Sequence, residues 1–125
     1  MSITNRYFLV IDDDAPVRKV LTEMLREHPK LSGWNILQSA SGNEGLEIFA
    51  EHRPVLVLVD RDMPGKTGPE VTKTIKSSVP ETKVIGMSGY ADAEQDFRTA
   101  GADWFLKKPI AVMELWTVVN ELLNP

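Results

Sequence analysis

The chain contains no cysteine, which removes disulfides, a thiol nucleophile and thiolate metal sites together. Histidine is nearly as scarce. His28 and His52 are the two present, too few for a histidine-based metal centre. Both stand in polar surroundings near expected helix ends and read as surface residues. Long apolar stretches are missing as well: the longest unbroken runs, Tyr7 to Ile11 and Val55 to Val59, are five residues each. A membrane span needs about 20, so no membrane segment is expected. There is no basic excess either. The formal net charge is -4, which argues against direct contact with nucleic-acid phosphates. Met1-Ser2-Ile3-Thr4-Asn5 has neither a basic n-region nor an apolar h-region, so no signal peptide is expected and a cytoplasmic location fits.

What remains is an ordinary globular composition, 125 residues with 42% hydrophobic and 26% charged, the size of one domain with one core. Val55 to Val59 has no polar alternation, as in a strand covered on both faces of a parallel sheet, and it ends in Asp60, followed by Met63-Pro64-Gly65. Tyr7 to Ile11 ends the same way, in Asp12-Asp13-Asp14. Weaker strand signals cover Trp34 to Ser39, Lys83 to Met87 and Trp104 to Leu106.

Helical patterns alternate with these strands. Val17, Val20, Leu21, Met24 and Leu25 keep the spacing of one buried face, with Pro16 in the first turn and Asp14 as N-cap. Ser41-Gly42-Asn43-Glu44 is a capping box opening a helix that buries Leu46, Phe49 and Ala50. Thr67-Gly68-Pro69-Glu70 opens another, with Val71, Thr74 and Ile75 inward, and Pro80 stops it. Asp92 with Gln95 caps a short helix through Phe97 and Ala100, closed by Gly101. Val112, Leu115, Val118, Val119 and Leu122 face inward on the last. Five strand–helix units with short connections make an α/β fold with a parallel sheet.

The polar residues obey a rule. Asp12, Asp13, Asp60, Ser88 and Lys108 all fall at strand carboxyl ends, the rim where open parallel sheets bind ligands. Singly, each has a bland reading. The aspartates could cap turns, Ser88 could be a turn residue, and Lys108 could be solvated beside Lys107. Together they describe a site. Three converging carboxylates need a counter-charge, and with oxygen ligands alone the fitting ion is Mg²⁺. Lys108 and the Ser88 hydroxyl would hold phosphoryl oxygens, and an aspartate can be a covalent acceptor.

On these motifs (Asp12-Asp13, Asp60 with Met63-Pro64-Gly65, Ser88-Gly89 and Lys108-Pro109) the chain resembles the receiver domain of two-component response regulators over essentially its whole length, residues 1–125. The resemblance implies a flavodoxin-like doubly wound sheet of order 2-1-3-4-5 flanked by five helices. It implies that Asp60 accepts phosphate from a phosphohistidine of a sensor kinase or phosphotransfer protein. Asp12, Asp13, Asp60 and the backbone carbonyl of Asp62 would bind Mg²⁺, and Ser88 and Lys108 would hold the phosphoryl group. Phe105 matches the aromatic switch that moves with Ser88, and the Lys108-Pro109 bond is expected cis. Such a domain is a phosphoacceptor with at most Mg²⁺-dependent self-phosphorylation and autodephosphorylation, rather than an enzyme. Its output surface, for a downstream target or a homodimer, would be the face of helix four, strand five and helix five. Trp104 and Trp116 would mark that face if exposed, with core packing as their default.

Ser88 and Gly89 stand where threonine and alanine are usual, and Phe105 lacks the hydroxyl of a tyrosine switch. Asp62 adds a negative charge that would alter the lifetime of the acyl phosphate. No output sequence follows Pro125, so the chain is expected to act alone or as a piece of something larger. Two rivals remain. Asp60-x-Asp62 also resembles the haloacid dehalogenase type of phosphohydrolase, but there the motif sits on the first strand of a longer, capped chain, and Asp12-Asp13 would have no role. The other is a binding module that keeps the fold without being phosphorylated.

Overall fold

Neighbouring residues of a strand point to opposite sides of a sheet, so an uninterrupted apolar strand must be covered twice. The computed structural model, which describes residues 6–123, meets that demand. The leader reading at Met1–Asn5 and the outermost ends of the 1–125 domain lie outside the described residues. Five strands, β1 (Tyr7–Ile11), β2 (Asn35–Ser39), β3 (Leu56–Asp60), β4 (Lys83–Ser88) and β5 (Trp104–Lys107), alternate with α1 (Ala15–Arg26), α2 (Gly42–His52), α3 (Gly68–Ser78), α4 (Ala93–Ala100) and α5 (Val112–Leu123). All strand pairs are parallel and the order is β2-β1-β3-β4-β5, as the resemblance implies.

Alternate residues feed two cores. Phe8, Val10, Leu56, Leu58, Ile85, Met87 and Leu106 meet Leu21 and Leu25 of α1 and Leu115, Val118 and Val119 of α5. Leu9, Ile11, Val57, Val59 and Val84 meet Phe49 of α2, Val71 and Ile75 of α3 and Phe97 of α4. Each fully buried Leu, Ile or Val contributes about 1.5–3 kcal/mol, which is why β1, β3 and β4 form the centre and the mixed β2 and β5 the edges. Gly86 on β4 is required by this packing, since a Cβ there would lie 2.3 Å from Phe97 Cγ.

The helix termini are closed largely as the sequence indicates. Asp14 Oδ1 accepts from Val17 N at 3.2 Å. At α3 the capping box is complete, with Glu70 N donating to Thr67 Oγ1 and Thr67 N to Glu70 Oε1. At α2 half of it forms, because Glu44 Oε1 instead accepts from Ala40 N and Ser39 Oγ. Asp92 caps nothing with its side chain; its carboxylate is turned to Arg61.

Four burial expectations are corrected. Val20 is 47% exposed, because the buried stripe of α1 runs through Leu21, Thr22 and Leu25 and leaves Val20 on its flank. Ala50 is exposed, since α2 turns Gly42, Gly45 and Phe49 inward. Thr74 is exposed and back-bonds to Glu70 O, while Thr72 takes the inward position. His28 is buried, not on the surface. Its Nε2 lies 2.8 Å from Asn120 Oδ1, its Nδ1 accepts from Lys30 N, and its ring packs on Trp116. Polar neighbours in sequence signalled exposure here, but the contacts that bury His28 come from α5, 92 residues away.

Candidate functional site

Parallel register brings the carboxyl ends of β1, β3, β4 and β5 to one rim, and five of the side chains singled out in the sequence meet there or beside it. Asp12 follows β1 directly and is fully buried. Its Oδ1 accepts from Asp14 N at 2.9 Å, its Oδ2 from Lys108 Nζ at 2.7 Å, and its carbonyl oxygen from Arg18 NH1 at 2.6 Å. Asp60 closes β3, and its Oδ1 lies 2.8 Å from the same ammonium. Asp13 is exposed beside them, and one carboxylate oxygen from each of Asp12, Asp13 and Asp60 fits within 4.8 Å.

The electrostatics follow from that crowding. Burial raises the pKa of Asp60 above the ordinary aspartate value; Lys108 opposes the rise, and the charges of Asp12 and Asp13 add to it. For Lys108 burial favours the neutral amine, but its hydrogen bonds to Asp12 and Asp60 prevail and raise its pKa. It is therefore a firm cation. Three carboxylates against one ammonium leave an excess of negative charge whose donors are all hard oxygens, a set suited to a small divalent cation.

Ser88 ends β4 and is buried, and its Oγ accepts from Tyr90 N at 3.0 Å. Lys108 N donates to Ser88 O at 2.8 Å, tying the serine and lysine backbones together, and the Lys108-Pro109 bond is cis as expected. Phe105 is half-buried, its ring 6.0 Å from that of Phe97. Gly68 lets the start of α3 approach the end of β3, since a Cβ there would lie 2.3 Å from the Asp60 carbonyl oxygen. The Asp62 side chain is exposed and accepts from Arg61 Nε at 3.1 Å. On β5 Trp104 is 42% exposed, whereas Trp116 of α5 is held in by its Nε1 donating to Met24 O.

Two neighbours of the site were not singled out in the sequence. Arg61, next to Asp60, pairs with Asp62 and Asp92 and lies over the Tyr90 ring; a lone arginine between two aspartates in sequence was the available signal. The other is an apolar groove of about 420 Å³ lined by Pro16, Val17, Val20, Met24, Pro109 and Ile110, with Lys108 also in its wall. The exposed Val20 is explained by it.

Comparison with known proteins agrees with the geometry. Residues 8–120 match the family model of the response regulator receiver domain. The chain is 31% identical over 121 residues to sporulation initiation phosphotransferase F of Bacillus subtilis (strain 168), covering 95% of this chain and 94% of that protein. It is 32% identical over 118 residues to response regulator MprA of Mycolicibacterium vanbaalenii, covering 93% of this chain and 49% of the relative, so it spans about half of that protein. Among solved structures, response regulator TrrA of Thermotoga maritima in complex with Mg(2+)-BeF superposes with a TM-score of 0.83 at 31% identity, over 94% of this chain and 98% of that one. On the family match, the relatives and the five-stranded fold together, the chain belongs to the response regulator receiver domains of two-component phosphorelay signalling.

Proposed function

We propose that Asp60 is the phosphoryl acceptor of a Mg²⁺-dependent signalling switch. The observation that carries this reading is the clustering of Asp12, Asp13 and Asp60 within 4.8 Å of one another, two of them, Asp12 and Asp60, paired with Lys108. In the transfer, a carboxylate oxygen of Asp60 forms a P–O bond as the P–N bond to a donor imidazole breaks, and the imidazole, protonated on its other ring nitrogen, keeps the electron pair and leaves neutral. Asp12, Asp13, Asp60 and the backbone carbonyl of Asp62 would hold Mg²⁺, which supplies charge neutralisation at the phosphoryl oxygens. Lys108 is already a cation beside Asp60 and takes a second oxygen. The Ser88 hydroxyl, exchanging its Tyr90 amide for the phosphoryl group, takes a third, and Phe105 follows into the space vacated. That coupling would bias the face of α4, β5 and α5 toward a downstream partner or a second copy.

The donor is a phosphohistidine on a sensor kinase or phosphotransfer protein. The apolar groove that Lys108 helps to line offers a helix of that protein a seat next to the acceptor. A haloacid dehalogenase-like phosphohydrolase is disfavoured by Asp62: its side chain is 65% exposed and committed to Arg61, not poised as a general acid.

Incubation with Mg²⁺ and acetyl phosphate followed by intact mass measurement tests the reading, with Asp60→Asn as control. One added phosphoryl group, dependent on Mg²⁺ and absent in the control, is expected. Donor turnover without an adduct would point to a phosphatase or to rapid self-hydrolysis, which a rapid-quench mass measurement separates. Neither adduct nor turnover would leave a binding module.

A further inference from the structure

Arg61 leaves β3 immediately after the acceptor, and its backbone is fully engaged. Arg61 N donates to Met87 O, and Gly68 N donates to Arg61 O, each at 2.9 Å. The side chain is therefore launched from a fixed base, and it is only 22% exposed. Its guanidinium touches two loops at once. On the β3–α3 side Nε bonds Asp62 Oδ2 at 3.1 Å. On the β4–α4 side NH1 lies 3.5 Å from Asp92 Oδ1, and the group lies 5.5 Å from the centre of the Tyr90 ring. Tyr90 in turn donates its backbone N–H to Ser88 Oγ. The chain of contacts thus runs from a rigid strand end, through one cation, to the hydroxyl that must reorient when the acceptor is modified.

Energetics fit a latch and not a staple. The Asp62 and Asp92 side chains are 65% and 83% exposed, so each pair is screened by water and weakened further by salt. The guanidinium over the exposed Tyr90 ring adds one more weak attraction. Contacts of this size bias a loop without locking it.

We propose that Arg61 is a positioning residue that latches the β4–α4 loop in its resting conformation, acting through Tyr90 on Ser88 and so restraining phosphorylation of Asp60. The proposal rests on the acceptor reading above for its effect on chemistry, but the latch itself does not. By holding Tyr90 and Asp92, Arg61 keeps the Tyr90 amide on Ser88 Oγ. Releasing it frees the hydroxyl to turn toward an incoming phosphoryl group. The same pairing draws the Asp62 carboxylate to the side of the mouth, where its charge is neutralised.

Arg61→Met keeps the stem and removes the charge; Arg61→Lys keeps the charge. Two quantities are measured on the intact chain: solvent exchange of the Tyr90 amide by NMR, and the initial rate of adduct formation with acetyl phosphate and Mg²⁺. In Arg61→Met the Tyr90 amide is expected to exchange about fivefold faster, with amides in β3 unchanged. The adduct is expected to form severalfold faster. Arg61→Lys restores most of both, Asp92→Asn moves both part of the way, and added salt loosens wild type but not Arg61→Met. A merely structural role would instead raise exchange throughout the sheet and lower Tm. Unchanged Tyr90 exchange overturns the latch, and so does faster exchange with an unchanged rate of adduct formation. If wild type forms no adduct at all, the acceptor reading falls while the exchange measurement still judges the latch.

Discussion

Lys108 and Asp60 are ion-paired at 2.8 Å across the carboxyl rim, and neither is at ease alone. Burial works against both charges; the pair more than offsets it for Lys108 and only opposes it for Asp60. Lys108→Ala is therefore expected to destabilise the fold by about 1–3 kcal/mol, the cost of leaving partly buried charged groups unpaired. Asp60→Asn, which relieves the crowding of carboxylates, should raise stability in metal-free buffer by about 0.5–2 kcal/mol, the usual range for one stabilising change. Urea melts of both single variants and the double variant check this. The double variant should lie above the Lys108→Ala single, and simple additivity would argue against coupling.

Divalent cation binding to the acidic cluster should be visible as folding stability. At a Mg²⁺ concentration ten times its Kd, linkage adds about 1.4 kcal/mol. Thermal melts with and without Mg²⁺ are expected to separate for wild type and to coincide for Asp13→Asn. Asp13 is the clean choice because Lys108 holds Asp12 and Asp60 instead. A shift that survives in Asp13→Asn would place the ion elsewhere.

Gly86→Ala should cost about 1–3 kcal/mol through overpacking. The new methyl would sit on the Phe97 ring, and Phe97 also packs on Phe105. Chemical denaturation gives the loss. Near-ultraviolet circular dichroism, which reports aromatic packing, should change with it.

Glu70 provides the pH dependence. The Thr67 backbone and side-chain hydrogen bonds of the capping box lower its pKa below the ordinary glutamate value. The native state thus releases this proton more readily than the unfolded chain. The contribution is complete above about pH 4.3, the unfolded value, and is lost as pH falls through the lower folded value. The Tm difference between wild type and Glu70→Gln should therefore shrink on going from about pH 6 to about pH 3. A gap independent of pH would mean that the carboxylate charge adds nothing to the cap.

Most of the fold was legible because its determinants are local. Apolar runs ending in aspartate, a Thr67–Glu70 box and a closing Gly101 act within a few residues of themselves, and the structure keeps them. The site residues could be named for the same reason: parallel strands place their carboxyl ends together whatever the side chains. What escaped depends on distant partners. His28 is buried by Asn120 and Trp116, Val20 is exposed because Pro109 and Ile110 frame a groove beside it, and Asp92 abandons its cap for Arg61. Helical periodicity fixes which residues share a face, but not how far around the helix its neighbours reach.

Among the described residues β5 is hydrogen-bonded to β4 alone, and it carries Phe105 and leads into Lys108. The cation that answers to Asp60 is thus hung from the margin of the sheet, not from its middle. On the proposed acceptor reading, a change of charge at Asp60 would pull on a strand anchored along one side, while β1 and β3, held on both sides, would stay put. Yielding there would disturb the rest of the sheet least, and would be felt by whatever stands outside it.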